Sequence, residues 1–192
     1  MQWVGTCNEL NAAYAADGYA RTKGIPGAII TTYGVGELSA INGIAGAYSE
    51  HVPIIHIVGT TSRMMQKERV MTHHTLSENW DHTLYQCMSE PVRRTSAFLM
   101  AQSMVAAEVD RVLEEAVKSR LPVYLFVLVD IPNLVIDAGP LAKPLDLKNC
   151  NAGREAEEDE IVTEIVRLLE QATNPGILGD ALAHRHGLVE ET

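Results

Sequence analysis

Cysteine is scarce in this chain and badly placed for cross-linking. Cys7, Cys87 and Cys150 are odd in number, far apart and never in Cys-x-x-Cys spacing. That excludes a disulfide framework and supplies no structural zinc motif. Basic residues are also few: 15 Lys and Arg against 25 Asp and Glu give a formal net charge of -10. A chain this acidic lacks the basic face that grips nucleic acid without regard to sequence, and anionic membranes repel it. Part of the acidity is local, in residues 155–164, where it marks a solvated helix face. No apolar run approaches the roughly 20 residues of a membrane span. The start, MQWVGTCNE, has neither the basic opening nor the apolar middle of a signal peptide. A cytoplasmic protein with reduced thiols is the expectation. Internal repeats and low-complexity tracts are missing as well.

What is present is an alternation of helix and strand patterns. Hydrophobic residues reach 46 %, enough for the core of one domain plus a remainder. Residues 8–21, NELNAAYAADGYAR, are rich in good helix formers, with Asn8 placed to cap them. Gly24, Pro26 and Gly27 break that helix, and the β-branched run 28–33 predicts a short buried strand. Gly34-Val35-Gly36 then makes a tight turn into a small-residue helix over 37–48. Residues 54–58 form a second strand, 59–83 read as polar and irregular, 101–119 as an amphipathic helix, and 123–129 as the strongest strand. Three prolines and no periodicity make 132–156 a linker. A further amphipathic helix follows over 159–173, with Ile161, Ile165, Leu168 and Leu169 inward. Ile177-Leu178 then opens another strand, and Trp3-Val4 reads as the tail of one. The pattern implies an α/β fold: a doubly wound parallel sheet with helices on both faces. Its expected division is an incomplete first domain over 1–131, the linker 132–156, and the start of a second domain over 157–192.

Three segments follow a strand at its carboxyl end, where open α/β sheets hold ligands. Gly34-Val35-Gly36-Glu37-Leu38-Ser39 nearly matches the dinucleotide fingerprint. Ser39 replaces the third glycine, however, and no strand-end acid lies about twenty residues on. Its readings are a plain strand-to-helix turn or a ligand wall. Glu9 is either a first-turn carboxylate favoured by the helix dipole or a buried acid at a strand end. His73 and His74 are adjacent, so they cannot share one helix face and make poor joint zinc ligands, even with His82 and Cys87 near in sequence. They are surface residues or a proton-handling pair. His56 reads as a core or interface histidine, and His184 and His186 as exposed. Tyr14, Tyr19 and Tyr124 read as packing groups.

These segments together resemble one family. NELNAAYAADGYAR resembles the opening helix of the pyruvate decarboxylases. GVGELSAINGIAGAYSEHVPIIHIVG, residues 34–59, is similar to the stretch that follows it there. THHTL at 72–76 is similar to the family's double-histidine motif, PVYLF at 122–126 to its next strand, and NPGILGDA at 174–181 to the entry of its middle domain. The resemblance covers nearly the whole chain, in order, and is nearest to the forms of filamentous fungi. It implies a first, pyrimidine-binding domain of a thiamine diphosphate-dependent 2-oxo acid decarboxylase. It also implies magnesium as second cofactor and a homodimer or tetramer in the full-length protein. Glu9 takes the place of the glutamate that touches the pyrimidine ring nitrogen, and His73 and His74 that of the proton-relaying pair. Thr32, Gly34, Val35 and Gly36 take the place of the wall beside the pyrimidine.

Departures from the family are informative. Ser77-Glu78-Asn79-Trp80 replaces a Gly-Asn-Gly-like turn after the double histidine, which leaves substrate preference open. Leu182-Ala183 stands where some yeast members carry an activating cysteine. Gly179-Asp180-Ala181 is not the family's metal motif, so the ligands for magnesium and diphosphate are expected outside this chain. The leading expectation is pyruvate converted to acetaldehyde and carbon dioxide, with the chain alone inactive. The alternatives are indolepyruvate or phenylpyruvate decarboxylation, a nicotinamide dehydrogenase, and a non-catalytic partner of a full-length decarboxylase.

Overall fold

The structure, a computed structural model, describes residues 3–147 and 155–188. It divides into two compact units, Met1–Asp146 and Leu147–Thr192.

The first unit is built on four parallel strands: β1 (Gly27–Thr32), β2 (Ile54–Thr60), β3 (Thr95–Leu99) and β4 (Val123–Leu128). Their spatial order is β1-β2-β4-β3. Helix α1 (Glu9–Lys23) precedes β1, and α2 (Val35–Ser49) connects β1 to β2. Two short helices, α3 (Arg63–Lys67) and α4 (Leu84–Ser89), lie between β2 and β3, and α5 (Val105–Ser119) links β3 to β4. The chain steps outward from β1 to β3 and back to β4. Right-handed crossovers then place α2 and α5 on opposite faces of the sheet. The two hydrophobic clusters show this. One joins Ala13, Ala16, Ala40 and Ile44 of α1 and α2 to Ile54, Val58 and Phe126. The other joins Val112 and Ala116 of α5 to Ala97, Leu99, Val123 and Leu125.

Local chemistry explains the elements that hold the site. The Asn8 side chain accepts from the Leu10 N–H at 2.9 Å and starts α1, as its sequence position predicts. Gly24, with φ of 70°, ends it. The buried face of α1 is Ala13, Ala16 and Ala20, all small, and this lets α1 lie close to its neighbours. Gly27 sits so near that an added Cβ would come within 2.4 Å of the Ala16 carbonyl oxygen. A Cβ on Gly43 of α2 would come within 2.7 Å of the Ala13 Cβ.

Several expectations need correction. Trp3 and Val4 form no strand; they are irregular and 73 % and 70 % exposed, because the described ladder of β1 runs to β2 alone. Ile177 and Leu178 are likewise irregular and exposed, with no strand beside them among the described residues. Helix α6 (Glu155–Gln171) forms, but Ile161, Ile165, Leu168 and Leu169 are exposed rather than inward. The second unit's described residues contain only α6 and the short α7 (Ala181–Arg185), too little to make a covering layer. Tyr14 and Tyr19 are about half exposed and are not core packing groups, whereas Tyr124 is buried. The interval 59–83 is less irregular than its polarity implies, since Ser62 caps α3 by accepting from the Met65 N–H. The sequence reading assigns neither α4 nor β3; β3 is a five-residue edge strand with only two buried side chains.

The close approach of α1 and α2 is testable on one helix. Gly43→Ala should destabilise the protein by roughly 1–3 kcal/mol through overpacking against Ala13. Gly46→Ala, where an added Cβ meets nothing within 4 Å, should stabilise by roughly 0.5–1 kcal/mol. Urea unfolding of the two variants checks both signs.

Candidate active site

The site forms where the first turn of α1, the end of β1 and the start of α2 meet. Glu9 is the first residue of α1 and half-buried. Its Oε1 lies 3.2 Å from where a Cβ on Gly36 would stand, and Thr32 Cγ2 lies 3.0 Å from the same point. Any side chain at position 36 would therefore displace the Glu9 carboxylate. Thr32 and Val35 are exposed on either side of the turn, while Gly34 and Gly36 are buried. Gly34 has φ of 82°, a conformation that favours glycine.

The histidine pair closes on this turn from the other side. A Cβ on Gly34 would come within 2.8 Å of the His74 Cβ. The His73 and His74 rings lie 4.2 Å apart, centroid to centroid. Tyr33 places its ring 6.4 Å from His73 and 6.0 Å from His74, and its hydroxyl donates to Thr72 Oγ1 at 3.2 Å. The Tyr85 hydroxyl donates to the His74 carbonyl oxygen. His73 is exposed; His74 is half-buried, and its Nδ1 is buried without a partner. All seven residues singled out from the sequence, Glu9, Thr32, Gly34, Val35, Gly36, His73 and His74, thus meet at the β1–α2 turn, with Glu9 brought there by α1 and the histidines by the loop packed on it.

Other candidates separate from this group. Both ring nitrogens of His82 are engaged, by Thr61 Oγ1 at 2.9 Å and the Val70 carbonyl at 3.0 Å, and Cys87 is exposed. Among the described residues no group of three His, Cys, Asp or Glu side chains is placed to hold a metal. His56 is a core residue: its Nε2 lies 2.9 Å from Thr31 Oγ1, its Nδ1 has no partner, and burial pushes its pKa down to about 3. His184 and His186 are exposed. Cys150 lies outside the described residues. The dinucleotide reading of Gly34 to Ser39 fails on charge, because Glu9 already sets a carboxylate against the helix start where a pyrophosphate would bind.

Sequence reasoning missed the polar layer beneath the turn. Glu37 of α2 is 3 % exposed, and its Oε2 has no partner. Burial pushes its pKa up to about 7, against the Gly34 backbone N–H, which donates to it, and the charge of Arg93. Glu37 is the third residue of α2, and Gly34 its cap, so this is the carboxylate half of a capping box. That spacing was the available signal. Arg93 stacks its guanidinium 5.6 Å from the Tyr124 ring centre and 5.2 Å from that of Phe126. Burial raises the pKa of Tyr124 and leaves its hydroxyl unpartnered.

Comparison with known proteins places this arrangement in a class. The family described as "Thiamine pyrophosphate enzyme, N-terminal TPP binding domain" matches residues 1–84. Over those residues the chain is similar to the thiamine pyrophosphate enzymes. Within them, it is 45 % identical over all 192 residues to the pyruvate decarboxylase of Kluyveromyces lactis. It is 46 % identical over the same length to pyruvate decarboxylase isozyme 2 of Saccharomyces cerevisiae. The chain spans about a third, 34 %, of the length of these relatives. Among solved structures, the thiamine diphosphate-dependent 4-hydroxybenzoylformate decarboxylase of Rhodococcus jostii RHA1 shares the fold, with a TM-score of 0.78 at 17 % identity. That match covers 96 % of this chain and 33 % of the other.

Two predictions follow from the strained and buried groups here. Ser77 and Trp80, in the segment that departs from the family's glycine-containing turn, have φ of 71° and 50°. Ser77→Gly should relieve about 1 kcal/mol of left-handed strain, measured by urea unfolding. Glu37 keeps its proton in the fold up to about pH 7, whereas an unfolded Glu ionises near 4.5. Its contribution to stability therefore falls as pH rises through that interval. Glu37→Gln should match the wild type near pH 4 and exceed it above pH 7 by on the order of 3 kcal/mol, at about 1.4 kcal/mol per pKa unit. Parallel denaturation series at pH 4 and 8 check the sign.

Proposed function

We propose that this chain supplies the pyrimidine-binding, proton-handling part of a thiamine diphosphate-dependent 2-oxo acid decarboxylase, acting on pyruvate to give acetaldehyde and carbon dioxide. The observation that carries this reading is the convergence of Glu9 on Gly36 and of His74 on Gly34, on either side of one turn. In this reading residues 1–131 form the pyrimidine-binding domain, 132–156 a linker, and 157–192 the start of a middle domain.

The residues fit the cofactor's aromatic end. The turn at Gly34 to Gly36 presents main chain where a flat ring needs close approach, flanked by exposed Thr32 and Val35. Glu9 brings a half-buried carboxyl group to the edge of that turn, where it can share a proton with a ring nitrogen. Bound there, thiamine diphosphate, with magnesium as its second cofactor, would supply the sink for the electron pair left when carbon dioxide departs. Glu9 sets the protonation of the pyrimidine. His74, with an unpartnered Nδ1, and the exposed His73 hold and move the proton needed as the aldehyde forms. Tyr33 and Tyr85 fix the pair's position through Thr72 and the His74 carbonyl.

The full-length protein is proposed to be a cytoplasmic homodimer or tetramer. The free thiols of Cys7 and Cys87 support the first, and the exposed Tyr14, Tyr19 and Ile30 side chains on α1 and β1 support the second. Among the described residues no helix is long and apolar enough to cross a membrane. A bulkier 2-oxo acid, indolepyruvate or phenylpyruvate, is the second reading. It stays open because residues 77–80, which follow the histidine pair, depart from the family's turn there.

Exchange of this chain into the corresponding third of the Kluyveromyces lactis enzyme tests the proposal, with acetaldehyde release from pyruvate as readout. The chimera should turn over, and Glu9→Gln in it should lower kcat by roughly 10²–10⁴, the worth of a positioned acid or base. A near-normal rate in that variant would remove the role given to Glu9. A folded chimera active only on phenylpyruvate would select the second reading.

A further inference from the structure

The histidine pair rides on a loop between α3 and α4 that runs from Val70 to His82 without a helix of its own. Holding such a loop in one shape costs conformational entropy, so its fixed points matter. Its two limbs differ. The outgoing limb carries His73 and His74, and His74 packs on Gly34. The returning limb holds strain, with Ser77 and Trp80 at φ of 71° and 50°. An isolated antiparallel bridge between Leu76 and Asp81 closes that strained half. Strain there acts on whatever joins the two ends of the loop.

His82 joins them. Its ring is buried, with Nε2 3.0 Å from the carbonyl oxygen of Val70, at the opposite end of the loop. Its Nδ1 lies 2.9 Å from Thr61 Oγ1. A carbonyl oxygen only accepts, so Nε2 carries the proton, and the neutral ring accepts at Nδ1 from the Thr61 hydroxyl. Both partners are firmly seated. The Val70 N–H donates to the Met65 carbonyl at the end of α3, at 2.9 Å. Thr61 is buried directly after β2, and its carbonyl receives Gln66 Nε2 at 3.0 Å. The preceding Thr60 carbonyl receives the Val129 N–H at 3.0 Å, which ties this point to the end of β4. An apolar side chain would fill the same space without two buried nitrogens to satisfy. What the nitrogens add is a clip: one ring closes the loop on itself and fixes its neck to the carboxyl end of β2.

We propose that His82 is a positioning residue: by joining Val70 to Thr61 it fixes the neck of the loop, and so the place of the His73–His74 pair over the Gly34 turn. Its consequence for catalysis rests on the decarboxylase reading, whereas the clip belongs to the fold. His82 also stands two residues before α4, whose Tyr85 holds the His74 carbonyl oxygen through its hydroxyl. The neck therefore sets both the start of the outgoing limb and the support beneath His74. The Tyr33 hydroxyl, 3.2 Å from Thr72 Oγ1, ties the limb between them to the turn. A misplacement of about 1 Å in such a site is worth roughly 10²-fold in rate.

The test uses the whole chain at pH 8, above the ordinary histidine range, and nuclear magnetic resonance. The readouts are the ring nitrogens of His82 and amide exchange at Thr72 and Thr75, whose N–H groups bond within the loop. The wild-type His82 ring should be the Nε2–H tautomer. Thr61→Val keeps the side-chain shape and removes the hydroxyl; it should move the Nδ1 resonance and leave that of Nε2. His82→Phe keeps a ring and removes both nitrogens. It should speed exchange at Thr72 and Thr75 at least about tenfold, for one or two net hydrogen bonds lost, while amides of α1 and β1 stay within about twofold. Unchanged exchange at Thr72 and Thr75, or an equal rise in α1 and β1, overturns the proposal. So does an Nδ1–H tautomer in the wild type. Should His82→Phe fail to fold, Thr61→Val decides: exchange at Thr72 and Thr75 about threefold faster supports the clip, and no change overturns it. In an active chimera with the Kluyveromyces lactis enzyme, His82→Phe should lower kcat about tenfold and leave KM within about twofold. An unchanged kcat in that variant overturns the positioning role. The ring and exchange readouts need no turnover, so an inactive chimera counts against the decarboxylase reading alone.

Discussion

The closeness of α1 to the sheet and to α2 governs the rest. Three glycines lie along that helix: Gly36 beside Glu9, Gly43 beside Ala13, and Gly27 beside Ala16. At each, a Cβ would stand 3.2 Å or less from an atom of α1. The helix therefore lies close to glycine backbone along about two turns, from Glu9 to Ala16. Its first residue, Glu9, reaches the β1–α2 turn because every later contact lets it sit that low. The alanines on its buried face serve the same end, trading apolar area for proximity. A carboxylate on a longer or looser support would not be held at one place beside the turn.

How much of this was legible in the sequence depended on whether the signal was local. Asn8 before an Ala-rich run, Gly24 after it, and the β-branched residues 28–33 each announce their own conformation, and the structure agrees nearly residue by residue. The parallel sheet with helices on both faces follows from the alternation of such segments. Ile177-Leu178 and Trp3-Val4 show the opposite case. Their composition suits a strand, but a strand exists only when a neighbour completes its ladder. The stripe on α6 was read correctly as apolar and wrongly as buried, because burial is a property of two surfaces. Edge strand β3 offered only the short apolar run Ala97-Phe98-Leu99 after two polar residues, too short a pattern to stand out.

The site was legible as an inventory but not as a geometry. Spacing left Glu9 and the histidine pair with ordinary alternatives, and only resemblance assigned their roles. Folding adds what neither supplies: Gly36 leaves room for Glu9, Gly34 for His74, and Tyr33 spans turn and loop. Glu37 escaped notice because an acid in the first turn of a helix is the commonest place for one. Its burial, and the unpartnered atoms of Tyr124 and His56 near it, become visible only when β2 and β4 lie side by side beneath α2. Such a layer costs stability, since its buried polar atoms lack partners.

The strained segment after the histidines has a different kind of consequence. Arg69, Ser77 and Trp80 are non-glycine residues in left-handed conformations within twelve positions, in a stretch that carries no strand and packs little of the core. The glycines beside α1, by contrast, admit no side chain. The chain thus sets a closely packed support beside a loop that holds strain. A substitution that relaxes residues 77–80 can therefore reshape this loop while leaving the support under Glu9 untouched.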